Sequence, residues 1–296
     1  MNALLLAAAL AASPGDSLVV STAWLAAHRG DPDLVILHLS MERADYEQGH
    51  IAGARWANPH DFFLGTPPGV ELPSAERLDS AFGALGISER SRVVYYGDTW
   101  MSPRIFLALE YLGLGQRAAL LDGGLRAWRA EQRPLSTEAP SWTPVKLAAR
   151  AHPEILADAD WLRTRLASTT LLLVDGRTPG EYAGSDLSER LPRAGHIPGA
   201  RNLPWEQTYA DGAAALDGTA SLLQPPAVLR RLLEDAGYVE GKQLVTYCTV
   251  GLRAGHLYFI ARYLGLHPRI YDGSMSEWSR KPELPMATGM TPGGAP

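Results

Sequence analysis

The chain has 296 residues, 46% of them hydrophobic and 20% charged, with a formal net charge of −5. That length suffices for two ordinary domains with full cores, and with no lysine or arginine run there is no footprint for nucleic acid. A single cysteine excludes an internal disulfide framework or a cysteine-rich zinc site, and the histidines show no His-Glu-x-x-His or comparable ligand spacing.

In chain order, residues 3–12 (ALLLAAALAA) form an apolar run of signal-peptide length, followed by Ser13-Pro14-Gly15. Ala9-Leu10-Ala11 offers a small-x-small cleavage site. The run is too short to anchor in a bilayer, so no membrane span is expected. Residues 1–14 are therefore expected to be an export signal, with a periplasmic or secreted protein. The absence of a basic residue from Met1-Asn2 keeps a cytoplasmic protein as the alternative. A short helix is expected at 22–28, a buried strand at 34–39 (LVILHL) and a turn or helix at 42–46, leading into Gly49-His50-Ile51-Ala52-Gly53-Ala54-Arg55. A helix follows near 74–85, a strand at 92–96, a loop and helix within 98–116, a strand at 118–121 and a turn into a helix at 122–128.

The second half repeats that order, with a helix at 161–166 and a strand at 170–175 (TLLLVD). Gly195-His196-Ile197-Pro198-Gly199-Ala200-Arg201 matches the earlier Gly-His-Ile segment, and Tyr111-Leu112-Gly113-Leu114 recurs as Tyr263-Leu264-Gly265-Leu266. Asp122-Gly123-Gly124 with Trp128 recurs as Asp272-Gly273-Ser274 with Trp278. Matched segments about 150 residues apart imply duplication of one α/β domain, and strands alternating with helices favour a mostly parallel sheet flanked by helices in each copy. The expected divisions are a first domain at 17–135, a linker at 136–153, a second domain at 154–287 and a flexible Gly- and Pro-rich tail at 288–296.

The most informative stretch is 243–266. Leu244, Val245, Thr246 and Tyr247 read as a buried strand, and from Ala254 the residues Leu257, Ile260, Ala261 and Leu264 recur at helical spacing. Between them lies Cys248-Thr249-Val250-Gly251-Leu252-Arg253, a loop over a helix N-terminus. Inward-pointing amides, the helix dipole and Arg253 would all stabilise a thiolate there, which marks Cys248 as a candidate nucleophile. The alternative is a small buried hydrophobe. In the first half Val93-Val94-Tyr95-Tyr96 aligns with the strand, but Gly97-Asp98 stands where the cysteine would be. The first domain is thus expected to wall the cleft without chemistry of its own, its aspartate repelling anions.

The segment Gly195–Ala200, the loop Cys248–Arg253 and Tyr271-Asp272-Gly273-Ser274 with Glu277-Trp278 together resemble the tandem-domain rhodaneses, over nearly the whole chain after the leader. The resemblance implies two rhodanese-like domains, the second catalytic, and a sulfurtransferase using thiosulfate or, alternatively, 3-mercaptopyruvate. It implies a ping-pong in which Cys248 takes sulfur from a small anionic donor as a persulfide and passes it to cyanide or a thiol acceptor. Catalytic roles fall to Cys248 and Arg253, and Thr249, Val250, Gly251 and Leu252 would cradle the transferred sulfur. No metal or organic cofactor is required, since sulfur transfer needs only a nucleophile and a stabilised leaving group. The protein is expected to act as a monomer. Arg253 at the end of the loop favours thiosulfate. Glu181 stands where the family often carries a substrate-binding arginine, so Arg190 or Arg193 would supply that charge, and Met275 replaces a frequent tryptophan.

Asp175 and Arg177 resemble a family Asp-x-Arg that either orients the loop or forms a plain ion pair. His50 and His196 recur in both halves and are expected to be structural, His256 is expected at the surface, and Trp128 and Trp278 in the core. Two other readings of the Cys–Arg loop are a phosphatase or arsenate reductase, whose loops carry five residues between Cys and Arg where this one has four, and a non-catalytic rhodanese module used for binding.

Overall fold

The computed structural model describes residues 18–63, 71–99, 101–186, 188–189, 191–212 and 222–293; the expected export signal at 1–14 and Arg190 lie outside them. The first half runs β1 (Val19–Val20), α1 (Thr22–His28), β2 (Leu34–Leu39), α2 (Arg43–Gln48), β3 (His50–Ile51) and β4 (Ala54–Ala57). It continues through α3 (Pro59–Phe62), α4 (Ala75–Ala84), β5 (Arg92–Gly97), α5 (Ser102–Tyr111), β6 (Ala118–Leu121), α6 (Gly124–Ala130) and β7 (Leu135–Ser136). The second half runs β8 (Leu156–Ala157), α7 (Ala159–Arg163), β9 (Leu171–Asp175), α8 (Pro179–Ala183), β10 (Arg201–Asn202) and α9 (Pro226–Asp235). It ends with β11 (Gln243–Tyr247), α10 (Leu252–Tyr263), β12 (Arg269–Tyr271) and α11 (Ser274–Trp278).

Each half builds a five-stranded parallel sheet, β1-β6-β5-β2-β4 and, read from the equivalent edge, β8-β12-β11-β9-β10. The identical order is that of a duplicated α/β domain. The repeated motifs make the same contacts in both copies. Tyr46 Oη donates to Ala54 O at 2.8 Å and Tyr182 Oη to Ala200 O at 2.7 Å. His50 stacks on Tyr46 and His196 on Tyr182, each with ring centroids 3.8 Å apart, and each histidine's Nδ1 meets the carbonyl of its own tyrosine. Trp128 and Trp278 are fully buried, with their indole N–H groups on Pro134 O and Pro285 O.

Local sequence accounts for most boundaries. Ser21, Ser74 and Asp158 cap α1, α4 and α7, and Thr178 with Glu181 forms a capping box on α8. Helix α10 begins at Leu252 rather than Ala254, because Gly251 in the left-handed region (φ +90°) turns the chain straight into it. This helix is buried on nearly all sides because it lies between its own sheet and α5, where Phe106 meets Phe259 edge-on at 5.1 Å and one core runs through both halves. Helix α9 was not expected, although Pro225-Pro226 offers a start and Leu229 and Leu233 supply the buried i, i+4 pair.

Two expectations about connecting segments are refined. The linker has no helix or strand between Ser136 and Pro153, but it is packed down: Leu147 is buried, Val145 N–H donates to Gly83 O at 2.9 Å and Trp142 Nε1 to Ala84 O at 2.8 Å. The described part of the tail expected to be flexible makes backbone contacts with the second domain: Gly289 N–H donates to Ala183 O and Gly199 N–H to Pro292 O, following the exchange of backbone hydrogen bonds between His196 and Ala287 at the domain's end. No helix of the described residues is long and apolar enough to cross a membrane.

Candidate active site

Cys248 follows β11 directly, at the carboxyl end of a central parallel strand, where α/β sheets open their clefts. Its side chain is fully buried, and Gly251 N–H donates to Sγ at 3.1 Å. That approach depends on the glycine. At φ +90° a Cβ on residue 251 would lie 2.8 Å from Asp272 Oδ1 and 3.2 Å from Arg104 Nη1.

The loop is laced to the segment after β12. Cys248 N–H donates to Ser274 Oγ at 3.2 Å, Met275 N–H to Cys248 O at 3.0 Å and Ser276 N–H to Thr249 O at 2.8 Å. Ser274 Oγ in turn donates to Tyr271 O at 3.0 Å. Ser274 holds φ +50°, a left-handed conformation costing a non-glycine residue on the order of 1 kcal/mol, and that strain is kept where its hydroxyl receives the amide of Cys248, the candidate nucleophile.

Arg253 forms a two-pronged pair with Glu181, Nη1 to Oε2 at 2.7 Å and Nη2 to Oε1 at 2.8 Å, and Nη2 also donates to Thr249 Oγ1 at 2.6 Å. The residue expected to be free for the donor is therefore matched by a carboxylate. Burial alone would push the Glu181 carboxyl up, but the hydrogen bonds and charge of Arg253 outweigh it and leave the carboxyl at about 2. Burial disfavours the Arg253 cation, but its bonds to Glu181 and the nearby Cys248 hold it protonated. Glu206 is within electrostatic reach of the same pair. Burial raises its pKa, its own backbone N–H and the charge of Arg253 offset part of that, and its buried Oε2 has no hydrogen-bond partner among the described residues.

Asp175 and Arg177 form a buried pair at 2.6 Å below the loop. Arg177 Nη2 also donates to Gly195 O, and Gly176 N–H donates to Tyr247 O at 2.9 Å, immediately before Cys248. The pair thus braces the ends of β9 and β11 from which the loop departs. Arg193 is not brought to the site: its guanidinium donates to Ser279 O, Leu284 O, Trp278 O and Lys281 O at 2.6–2.8 Å, holding the end of α11. His256 is not at the surface as expected. It is fully buried, with Nε2 2.6 Å from Thr208 Oγ1, and burial lowers its pKa to about 3.

The sequence reading missed Arg104. This fully buried side chain of α5 crosses from the first domain, donates to Gly251 O at 3.2 Å and pairs with Asp272. Asp272 Oδ2 also accepts from Leu72 N–H of the first domain at 2.7 Å. A signal was present: Arg104 is a lone cation among Pro103, Ile105, Phe106 and Leu107, all buried. Among the described residues no cluster of His, Cys, Asp and Glu could hold a metal ion.

Comparison with known proteins places these features in a family. A model of the rhodanese-like domain matches twice, at residues 21–131 and 158–281. A thiosulfate sulfurtransferase of Azotobacter vinelandii is 38% identical over 275 residues, covering 91% of this chain and 96% of that protein. A thiosulfate sulfurtransferase of Pseudomonas aeruginosa is 35% identical, again over 91% of this chain and 96% of that protein. The crystal structure of SseA from Escherichia coli, a 3-mercaptopyruvate sulfotransferase, superposes with a TM-score of 0.75 at 23% identity, over 87% of this chain and 98% of that one, and shares the fold.

Proposed function

Because the chain belongs to the rhodanese family, we propose that it moves a sulfane sulfur from thiosulfate, through a persulfide on Cys248, to cyanide or a thiol acceptor. The observation that carries this reading is the Cys248 thiol, sealed at the end of β11 with the Gly251 N–H on its sulfur. In the first step the thiolate attacks the outer sulfur of thiosulfate, the sulfur–sulfur bond of the donor breaks, and sulfite leaves with the electron pair. In the second, cyanide or an acceptor thiolate attacks the outer persulfide sulfur and Cys248 leaves as thiolate. The Gly251 N–H on Sγ stabilises the attacking thiolate of the first step and the thiolate that leaves in the second, whereas the charge of the persulfide lies on its outer sulfur.

Arg193, one of the two arginines expected to supply the donor-binding charge, is committed to four carbonyls and is not that counter-ion for either donor; the reading of thiosulfate rests on the relatives that carry that activity. The phosphatase reading has five residues between Cys and Arg, where Thr249, Val250, Gly251 and Leu252 make four, a tighter cradle that suits sulfur better than a tetrahedral phosphoryl group. Incubation with thiosulfate should add one sulfur atom to the intact mass of the protein, cyanide should remove it as thiocyanate, and Cys248→Ser should do neither. A wild-type protein that acquires no sulfur would end the proposal. Independently of the sulfur transfer, we take residues 1–14 as an export signal of a monomeric periplasmic or secreted protein; N-terminal sequencing from the native host showing Met1 or Asn2 retained would overturn export, and sedimentation would test the monomer.

A further inference from the structure

The guanidinium fork of Arg253 is the natural seat for a sulfonate or sulfate, since planar two-pronged pairing is what arginine offers to oxyanions. Glu181 already occupies it, with both oxygens engaged at 2.7 and 2.8 Å. The carboxylate is itself held in place. Thr178 N–H and Oγ1 donate to Oε2, each at 3.1 Å, and Thr249 Oγ1 donates to Oε1 at 3.1 Å. Glu206 adds a second carboxylate in electrostatic reach of the same arginine, so this wall of the site is not cationic.

We propose that Glu181 holds down the oxyanion affinity of the site: it fills the fork of Arg253 as a built-in carboxylate, so an oxyanion binds there only by displacing it. This rests on the sulfurtransferase reading and deepens it. An incoming anion exchanges one charge-assisted pair for another instead of gaining a new one, so charge alone selects weakly. Sulfate, which has no sulfur atom that a thiolate can attack, is then kept out. Thiosulfate is distinguished by what its outer sulfur does at Cys248. With its carboxyl held at about 2, Glu181 stays ionised across neutral pH, and the fork does not open by protonation there.

Glu181→Gln is the informative variant, because glutamine at the third helical position preserves the capping box with Thr178 while removing the charge. Sulfate is titrated calorimetrically into Cys248→Ser and into Cys248→Ser/Glu181→Gln, so no turnover is involved. The double variant should bind sulfate about ten- to a hundred-fold more tightly, the equivalent of one charge-assisted contact no longer exchanged. With Cys248 present, Glu181→Gln should lower the KM for thiosulfate and the inhibition constant of sulfate in parallel, with a smaller change in kcat. Glu181→Asp, which keeps the charge, should behave as wild type toward sulfate, and Glu181→Ala replaces Glu181→Gln if that protein does not fold. Unchanged or weaker sulfate binding in a folded neutral variant would overturn the proposal. Absence of sulfur transfer in the wild type would instead overturn the sulfurtransferase reading, and the sulfate comparison would still report on Glu181.

Discussion

The two domains carry the same scaffold and treat the end of the same strand in opposite ways. In the second domain β11 delivers Cys248 into a loop whose amide reaches the sulfur. In the first, β5 runs into Gly97-Asp98, and beside it Gly97, Thr99, Ser102, Gly123 and Tyr209 of the second domain line a cavity of ≈ 10 Å³. That holds about one water and no donor. Each domain also reaches across to the other's loop region by the same device: Leu72 N–H meets Asp272, and Leu223 N–H meets Asp122, its counterpart. Where the copies differ, the differences gather at the active loop. Beneath it, the buried Asp175–Arg177 pair stands where the first domain has His38 and Ser40, by strand register. Counted back from the shared Tyr-Leu-Gly-Leu, Arg104 corresponds to His256, and only Arg104 reaches the other domain's loop. The copy without the cysteine supports the loop of the copy that carries it, through Arg104 and Leu72.

The largest effect should come from the nucleophile. Cys248→Ser should lose sulfur transfer entirely with its thermal transition retained, because a hydroxyl forms no persulfide. Asp98→Cys should add no second persulfide by mass spectrometry, since the first loop lacks an arginine placed as Arg253 is in the second; a doubled sulfur count would break the comparison. Arg104→Met should come next. It strands Asp272, and breaking a buried pair from one side costs about 3–5 kcal/mol, so denaturant unfolding should show a loss of that order, together with reduced kcat/KM despite the change lying in the inactive domain. A stable variant with unaltered kinetics would return the first domain to the role of a plain wall.

Ser274 and its counterpart Gly124 share φ +50°, which makes a matched test. Ser274→Ala should lower kcat/KM by on the order of ten-fold through the lost acceptor for Cys248 N–H. Ser274→Gly should lose the same contact but be more stable than the alanine variant by about 1 kcal/mol, since it releases the left-handed strain. Gly124→Ala should cost about 1 kcal/mol of stability with no change in KM. Equal stabilities of Ser274→Ala and Ser274→Gly would remove strain from the account.

The smallest effect concerns pH. His256, held by burial at about 3, is neutral in the folded protein, while the unfolded chain binds its proton near the ordinary value of 6.5. Between those values the unfolded state carries the extra proton, so His256 favours folding fully above pH 6.5 and progressively less as pH falls toward 3. His38 in the first domain, lowered to about 4 chiefly by burial, acts with the same sign. His256→Gln should therefore flatten the acid limb of the stability profile only in part, leaving the share due to His38. A slope unchanged by the substitution would show that His256 is already protonated in the fold.

What the sequence determined by itself was whatever depends on short-range pattern: the alternation of strands and helices, the duplication, the Cys–Arg loop and the loss of the cysteine in the first copy. Strand residues such as Val93–Tyr96 and Leu244–Tyr247 are apolar because they are covered on both faces, and that is visible in any window containing them. The partners of charged side chains were not visible. Glu181 lies 72 residues from Arg253, Arg193 finds carbonyls 85–91 residues away, and Arg104 meets Gly251 across 147. An arginine looks the same in sequence whether it faces a substrate, a carboxylate or the end of a helix. Only the folded chain decides, because the strength of a charged contact depends on distance, angle and desolvation, none of which a linear pattern records. His256 shows the same limit: its place on α10 could be counted, but its burial depended on Thr208 and Tyr209 arriving from an excursion between β10 and α9.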